Sequence, residues 1–222
     1  MGSMTPLRSQ SFMLVSPPWP ALIISGSLER YARAMLAARE LGFTSVHVAA
    51  AYPPDKNASG AWRQVAGPCA LDGYNGMRTA HRNAWRLLDL ANVPMAVLED
   101  DIIPIATSVD TVWAFLNRSV GYDVAFLNEV CGRTPWLSTA ALWITPRAAR
   151  QFLASTARCF PSAGPMKDID HWTSKECFKR LRCLSAPSTV KARWRDLFGC
   201  GLFAQGRRVV EPWRGKAYER VG

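Results

Sequence analysis

Residues 95–104 read Met-Ala-Val-Leu-Glu-Asp-Asp-Ile-Ile-Pro, an apolar run closed by the consecutive acids Glu99, Asp100 and Asp101. Adjacent carboxylates repel one another unless a cation or a basic partner offsets their charge. Oxygen-only donors suit a hard divalent ion such as Mg²⁺ or Mn²⁺, and such ions commonly arrive with a substrate's phosphates. The triplet therefore points to a metal site for a phosphate-bearing substrate of the nucleotide-sugar kind. In an extended strand Glu99 and Asp101 face one way and Asp100 the other. The same acids also serve as helix N-caps or turn formers, Asp100 and Asp101 above all.

A buried strand of an α/β sheet has the composition of Met95 to Leu98, and open sheets place their ligand crevices at the carboxyl ends of such strands. The flanking sequence supplies the rest of that architecture. Ala21 to Ser25 is a short apolar run, and Leu28 to Leu41 follows with helical spacing at Leu28, Tyr31, Met35 and Ala38, stopped by Gly42. Ser45 to Ala51 alternates as a second strand, so strand, helix and strand predict a right-handed crossover and a parallel sheet. Residues 52–73, rich in Pro, Gly, Asp, Asn and Ser, read as loop. Gly76 to Leu90 is predicted as a helix, Val109 to Leu116 as another, Val124 to Leu127 and Ala140 to Ile144 as strands. Pro146 to Leu153 is a helix with proline in its favoured first turn. Beyond about residue 155 the chain is basic, less periodic, and carries Trp172, Trp194 and Trp213.

The bulk composition agrees with a folded domain. The chain has 222 residues, 49% hydrophobic and 20% charged, enough to bury a substantial core. Its net charge of +10 is unevenly placed: residues 1–146 hold 11 basic and 11 acidic side chains, residues 147–222 hold 16 and 6. A basic third attracts polyanions, among them nucleotide diphosphates, acidic glycans, anionic membranes and nucleic acid, or is a solvated face. The six cysteines at 69, 131, 159, 177, 183 and 200 show no zinc-ligand spacing with His47, His81 and His171; they read as thiols in a reducing compartment, with disulfides left open by the even count. No segment reaches the roughly 18 apolar residues that span a bilayer, and Pro17, Pro18 and Pro20 break the run from Phe12 to Ile24. The expectation is a cytoplasmic protein, in which the Asn57 and Asn117 glycosylation patterns are coincidental.

With these residues in order, the chain resembles glycosyltransferase family 25, the lipopolysaccharide and collagen galactosyltransferase group. Four blocks carry the likeness across residues 21 to about 190: Ala21 to Ser25 with Glu29-Arg30; Gly76-Met-Arg-Thr-Ala-His81 with Trp85; Val97-Leu-Glu-Asp-Asp101-Ile; and Thr139 to Ile144 with Arg147-Ala148. Ser25 stands where the family has asparagine, and Met77 and Ala80 where it has cysteine and serine. The resemblance implies an α/β, GT-A-like single domain with a mostly parallel central sheet flanked by helices. The core would span about 20–190 and a basic C-terminal extension about 191–222.

The resemblance further implies a metal-dependent enzyme moving a hexose such as galactose from a UDP-sugar to a glycan or glycosylated acceptor, with inversion. Asp101 is then the leading metal ligand, with Glu99 near the ribose or the metal, Asp100 between them, and His171 able to complete the shell. Ser25, Arg30, Arg78 and His81 fall at the donor site, with Arg82 also near phosphate. His81 reads equally as a structural residue, and Arg30 as a solvated helix residue paired with Glu29 or another acid. Inversion needs a carboxylate to take the acceptor's proton. Asp170 is the first candidate and Asp168 the second, Glu129 is in reserve, and Trp172 offers a face for a sugar ring. Asp168 and Asp170 also fit as the N-cap and first-turn acids of a helix beginning near Trp172. Two other classes compete. One is a polyanion or nucleic-acid-binding module built on the basic third, which leaves the acidic triplet without a role; the other is an inactive, sugar-binding relative of the transferases.

Overall fold

The computed structural model describes residues 16–49, 73–104, 106, 108–129, 139–155, 169–185, 197–198, 200–201 and 203–206. The first apolar run forms β1 (Trp19–Ser25), the first helical pattern α1 (Leu28–Glu40), and the next run β2 (Phe43–Ala49). Ser27 caps α1 by accepting the Arg30 N–H at 3.4 Å. Gly42 ends the connection at φ +86°, where an added Cβ would also lie 3.1 Å from Trp19 Cζ3 and Val109 Cγ1. Glycine is therefore required there both by backbone conformation and by space. β1 and β2 pair in parallel, as the crossover predicts.

Helix α2 (Gly73–Ala91) leads to β3 (Met95–Glu99), which pairs in parallel with β1. Then come β4 (Ile102–Pro104), α3 (Val109–Arg118), β5 (Val124–Phe126), β6 (Asn128–Glu129), β7 (Ala141–Ile144), α4 (Pro146–Ser155), α5 (Ile169–Lys179) and β8 (Cys183–Ser185). The central sheet has six strands in the order β2-β1-β3-β7-β5-β8. Only β7 runs against its neighbours, antiparallel to both β3 and β5. This is the mostly parallel, helix-flanked α/β layer of the GT-A-like expectation. Within the basic C-terminal extension, β9 (Leu197–Phe198), β10 (Cys200–Gly201) and β11 (Phe203–Gly206) pair back onto the body, β11 with β4 and β10 with β6.

Period-2 alternation sorts the core between the two faces of the sheet. Ala21, Ile23 and Leu98 face α1 and α3 with Ala34, Ala38, Val112, Phe115 and Leu116. Leu22, Ile24 and Val97 face α2, α4 and α5 with Trp85, Leu88, Phe152 and Trp172. At the far edge Asp123 is buried and accepts both Nη1 contacts of Arg147 at 2.9 Å and the Arg182 N–H at 2.8 Å. It ties β5 to α4 and β8.

Several expectations change. Trp172 offers no face to a sugar: it is 7% exposed, with its ring 5.8 Å from Trp85 and 5.4 Å from Phe152. The helix carrying it begins at Ile169, three residues earlier than expected, which puts Asp170 and His171 in its first turn. Cys177 and Cys183 are joined as a disulfide between α5 and β8, a pairing that the even cysteine count had left open.

Trp85 is fully buried and touches the rings of His81, Phe152 and Trp172. Trp85→Ala should cost about 3–5 kcal/mol of unfolding free energy, whereas Trp113→Ala, at a site 44% exposed, should stay within about 0.5 kcal/mol. Denaturant titration of both variants checks the contrast.

Candidate functional site

β1 and β3 are adjacent parallel strands, with Ile24 registered against Glu99, so their carboxyl ends open at the same edge of the sheet. β3 ends at Glu99, and Asp100 and Asp101 form the turn into β4. Glu99 is 6% exposed and Asp100 8%. A carboxylate that deep needs donors to replace its lost water. The structure supplies them from opposite sides.

Asp100 is directed toward the start of α1. Its Oδ1 accepts from Arg30 Nη2, and its Oδ2 lies 2.7 Å from Ser25 Oγ. Ser25 Oγ also lies 2.7 Å from the Ser27 carbonyl and accepts the Ser27 N–H at 3.1 Å. A hydroxyl carries one proton, and the ionised carboxylate beside Arg30 is the stronger acceptor. Ser25 thus links the end of β1, the cap of α1 and the acidic turn. His47 Nε2 adds a contact to the Ser25 carbonyl at 3.1 Å, with its ring 4.7 Å from that of Tyr31.

Glu99 is directed toward α2. Its Oε1 lies 3.1 Å from Nε2 of the fully buried His81 and accepts from Thr139 Oγ1 at 3.4 Å. The expected opposition of Glu99 and Asp100 is therefore present. Period-2 alternation stops at Glu99, so it does not fix Asp101, which is half-buried in the turn. Arg78, one turn before His81, is buried at 6% exposure. Arg82 donates Nη1 to the Leu153 carbonyl of α4 at 3.3 Å; burial, and then the neighbouring Arg86, hold its guanidinium below its ordinary pKa.

Ser25, Arg30, His81, Glu99 and Asp100 thus come together at one edge of the sheet. Asp170 and His171 lie on α5, but their side chains, like that of Glu129 on β6 and the whole of Asp168, fall outside the described residues. Among the described residues, no group of three His, Cys, Asp or Glu side chains is placed to hold a metal ion. Thr139, Ser27 and His47 belong to the site although their types alone gave no chemical signal. Thr139 sits just before β7, where only tertiary contact reveals its role.

No family model matches the chain, and no curated protein matches it in sequence. In structure it is similar to a protein from STIV at 13% identity and TM-score 0.43, over 91% of this chain and 97% of that one. It is similar to the glycosyltransferase GlyE of Streptococcus pneumoniae at 8% identity and TM-score 0.46, over 77% of this chain and 45% of that one. It is also similar to a Drosophila β-1,4-galactosyltransferase 7 mutant complexed with manganese, UDP-Gal and xylobiose, at 8% identity and TM-score 0.46, over 90% of this chain and 74% of that one. At such identities no residue role passes from those proteins to this chain.

His81→Ala removes the shorter of the two Glu99 contacts named above and leaves a cavity against Trp85. It should cost about 2–4 kcal/mol. The double variant His81→Ala/Glu99→Ala should cost about 1–2 kcal/mol less than the two single losses added. Strict additivity in denaturant titrations would show that the pair is not coupled.

Proposed function

We propose that the chain is a metal-dependent glycosyltransferase that moves a hexose from a UDP-sugar to a glycan or glycosylated acceptor, akin to family 25. The observation that carries this reading is the meeting of Ser25, Arg30, His81, Glu99 and Asp100 at the carboxyl ends of adjacent parallel strands. α/β sheets bind ligands at that edge, and a guanidinium there suits phosphate or a nucleobase edge.

The residues fit a hard cation in part. Glu99 and Asp100 engage protein donors, and on the resemblance to family 25 Asp101 is the acid of the triplet we assign to Mn²⁺ or Mg²⁺, with His171 as a further ligand. When bound, the ion supplies charge compensation to the departing diphosphate. The chain's own residues do the rest. Arg30 holds the anionic donor from the α1 side, and the buried Glu99–His81 pair fixes the strand end that carries the turn. Asp170, or Asp168 beside it, takes the acceptor hydroxyl's proton as the new glycosidic C–O bond forms and the bond to the diphosphate breaks. With the proton on a carboxyl and the electron pair on the leaving phosphate, the step balances.

A polyanion-binding role is weaker at this edge, because the acids would repel such a ligand. The test is calorimetric titration of UDP with and without Mn²⁺, on the unaltered protein and on Asp101→Ala. Metal-dependent binding that falls at least about tenfold in the variant, equivalent to about 1.4 kcal/mol, is expected. Absence of nucleotide binding in every condition would sink the transferase reading.

A further inference from the structure

Glu99 and Asp100 engage separate partners, and those of Asp100 lie at the end of β1 and on α1. Its side chain is 2% exposed while that of Arg30 is 27% exposed. A buried carboxylate is thus joined to an arginine whose side chain still reaches solvent. The contact uses Nη2, and a guanidinium carries five N–H donors in a rigid fork, so part of the fork remains directed away from Asp100. Ser25 braces the second carboxylate oxygen at 2.7 Å and is itself tied to the Ser27 cap. The carboxylate is therefore held from two sides, and Arg30 is joined to an anchor that has a tether of its own.

We infer that Asp100 is a positioning residue: it contacts neither metal nor donor, but aims Arg30 at the anionic portion of a nucleoside diphosphate. This rests on the transferase reading above and adds to it a division of labour within the triplet. A flexible arginine loses side-chain entropy when it binds; one held in place beforehand loses less, so the pairing favours affinity. The binding surface is then formed by a base that an acid orients, which explains how an acid-rich strand end accepts an anion.

The experiment measures UDP affinity by calorimetry for the unaltered protein, Arg30→Lys, Asp100→Asn and the double variant, with melting temperatures recorded for each. Arg30→Lys keeps the charge beside Asp100 but loses the fork, and Asp100→Asn keeps an acceptor for Ser25 but loses the charge. Each single variant should weaken UDP binding about tenfold, and the double variant should be no weaker than either, because the two residues act as one unit. A purely structural Asp100 would lower the melting temperature and leave affinity unchanged in the folded protein, which overturns the inference. So do losses that simply multiply in the double variant. If Asp100→Asn does not fold, Arg30→Lys decides alone: unchanged UDP affinity overturns the inference, and a tenfold loss sustains it. UDP binding by the unaltered protein that survives in Asp100→Asn refutes this inference only. No UDP binding by the unaltered protein overturns it together with the transferase reading.

Discussion

Taking a carboxylate out of water costs several kcal/mol unless donors replace the lost hydration, and β3 ends in Glu99 with Asp100 next in the turn, both buried. Much of the surrounding arrangement answers that demand. Arg30 and Ser25 meet Asp100 from the α1 side, and His81 and Thr139 meet Glu99 from α2 and the approach to β7. These elements converge on the end of one strand, so the acids tie together the helical layers on both faces of the sheet. Removing an acid would take one contact from each of its partners, and removing a basic partner would leave a buried charge less compensated. The second loss is the more costly.

The reading from sequence succeeded where chemistry is periodic or local. β1, α1 and β3 were legible because apolar spacing and the Gly42 stop signal need only neighbouring residues. The start of α5 was read three residues late because its buried positions, Ile169, Trp172, Thr173, Glu176 and Cys177, follow helical spacing but include polar residues. Glu176 is accommodated by Gln151 and Ser155, a compensation from α4 that no local pattern displays. β4 and β9 to β11 are two to four residues long, too short for alternation to rise above chance.

The acids were legible as types, but their partners were not. Arg30 and Asp100 are 70 residues apart and Ser25 and Asp100 are 75 apart, and one sequence holds no record of which base meets which acid. Of the alternatives left open for Arg30, the structure shows the partner of an acid, and that acid is Asp100. Trp172 illustrates the opposite error. An aromatic beside acids suggested a sugar platform, yet burying its ring against Trp85 and Phe152 removes more apolar area from water than a surface position could.

The C-terminal third gains a structural role from β11. The acidic turn is held on one side by β3 and on the other by β4, and β4 pairs with β11 through Ile102 and Gln205 at the end nearest the acids. Phe203, fully buried, donates its N–H to the Leu127 carbonyl and packs near Phe43. The basic third therefore contributes backbone to the scaffold beneath the acids, and is more than a charged appendage. A chain whose first 146 residues balance their charge and whose last 76 carry the whole excess of +10 brings strands from its basic end to the edge where its acids cluster.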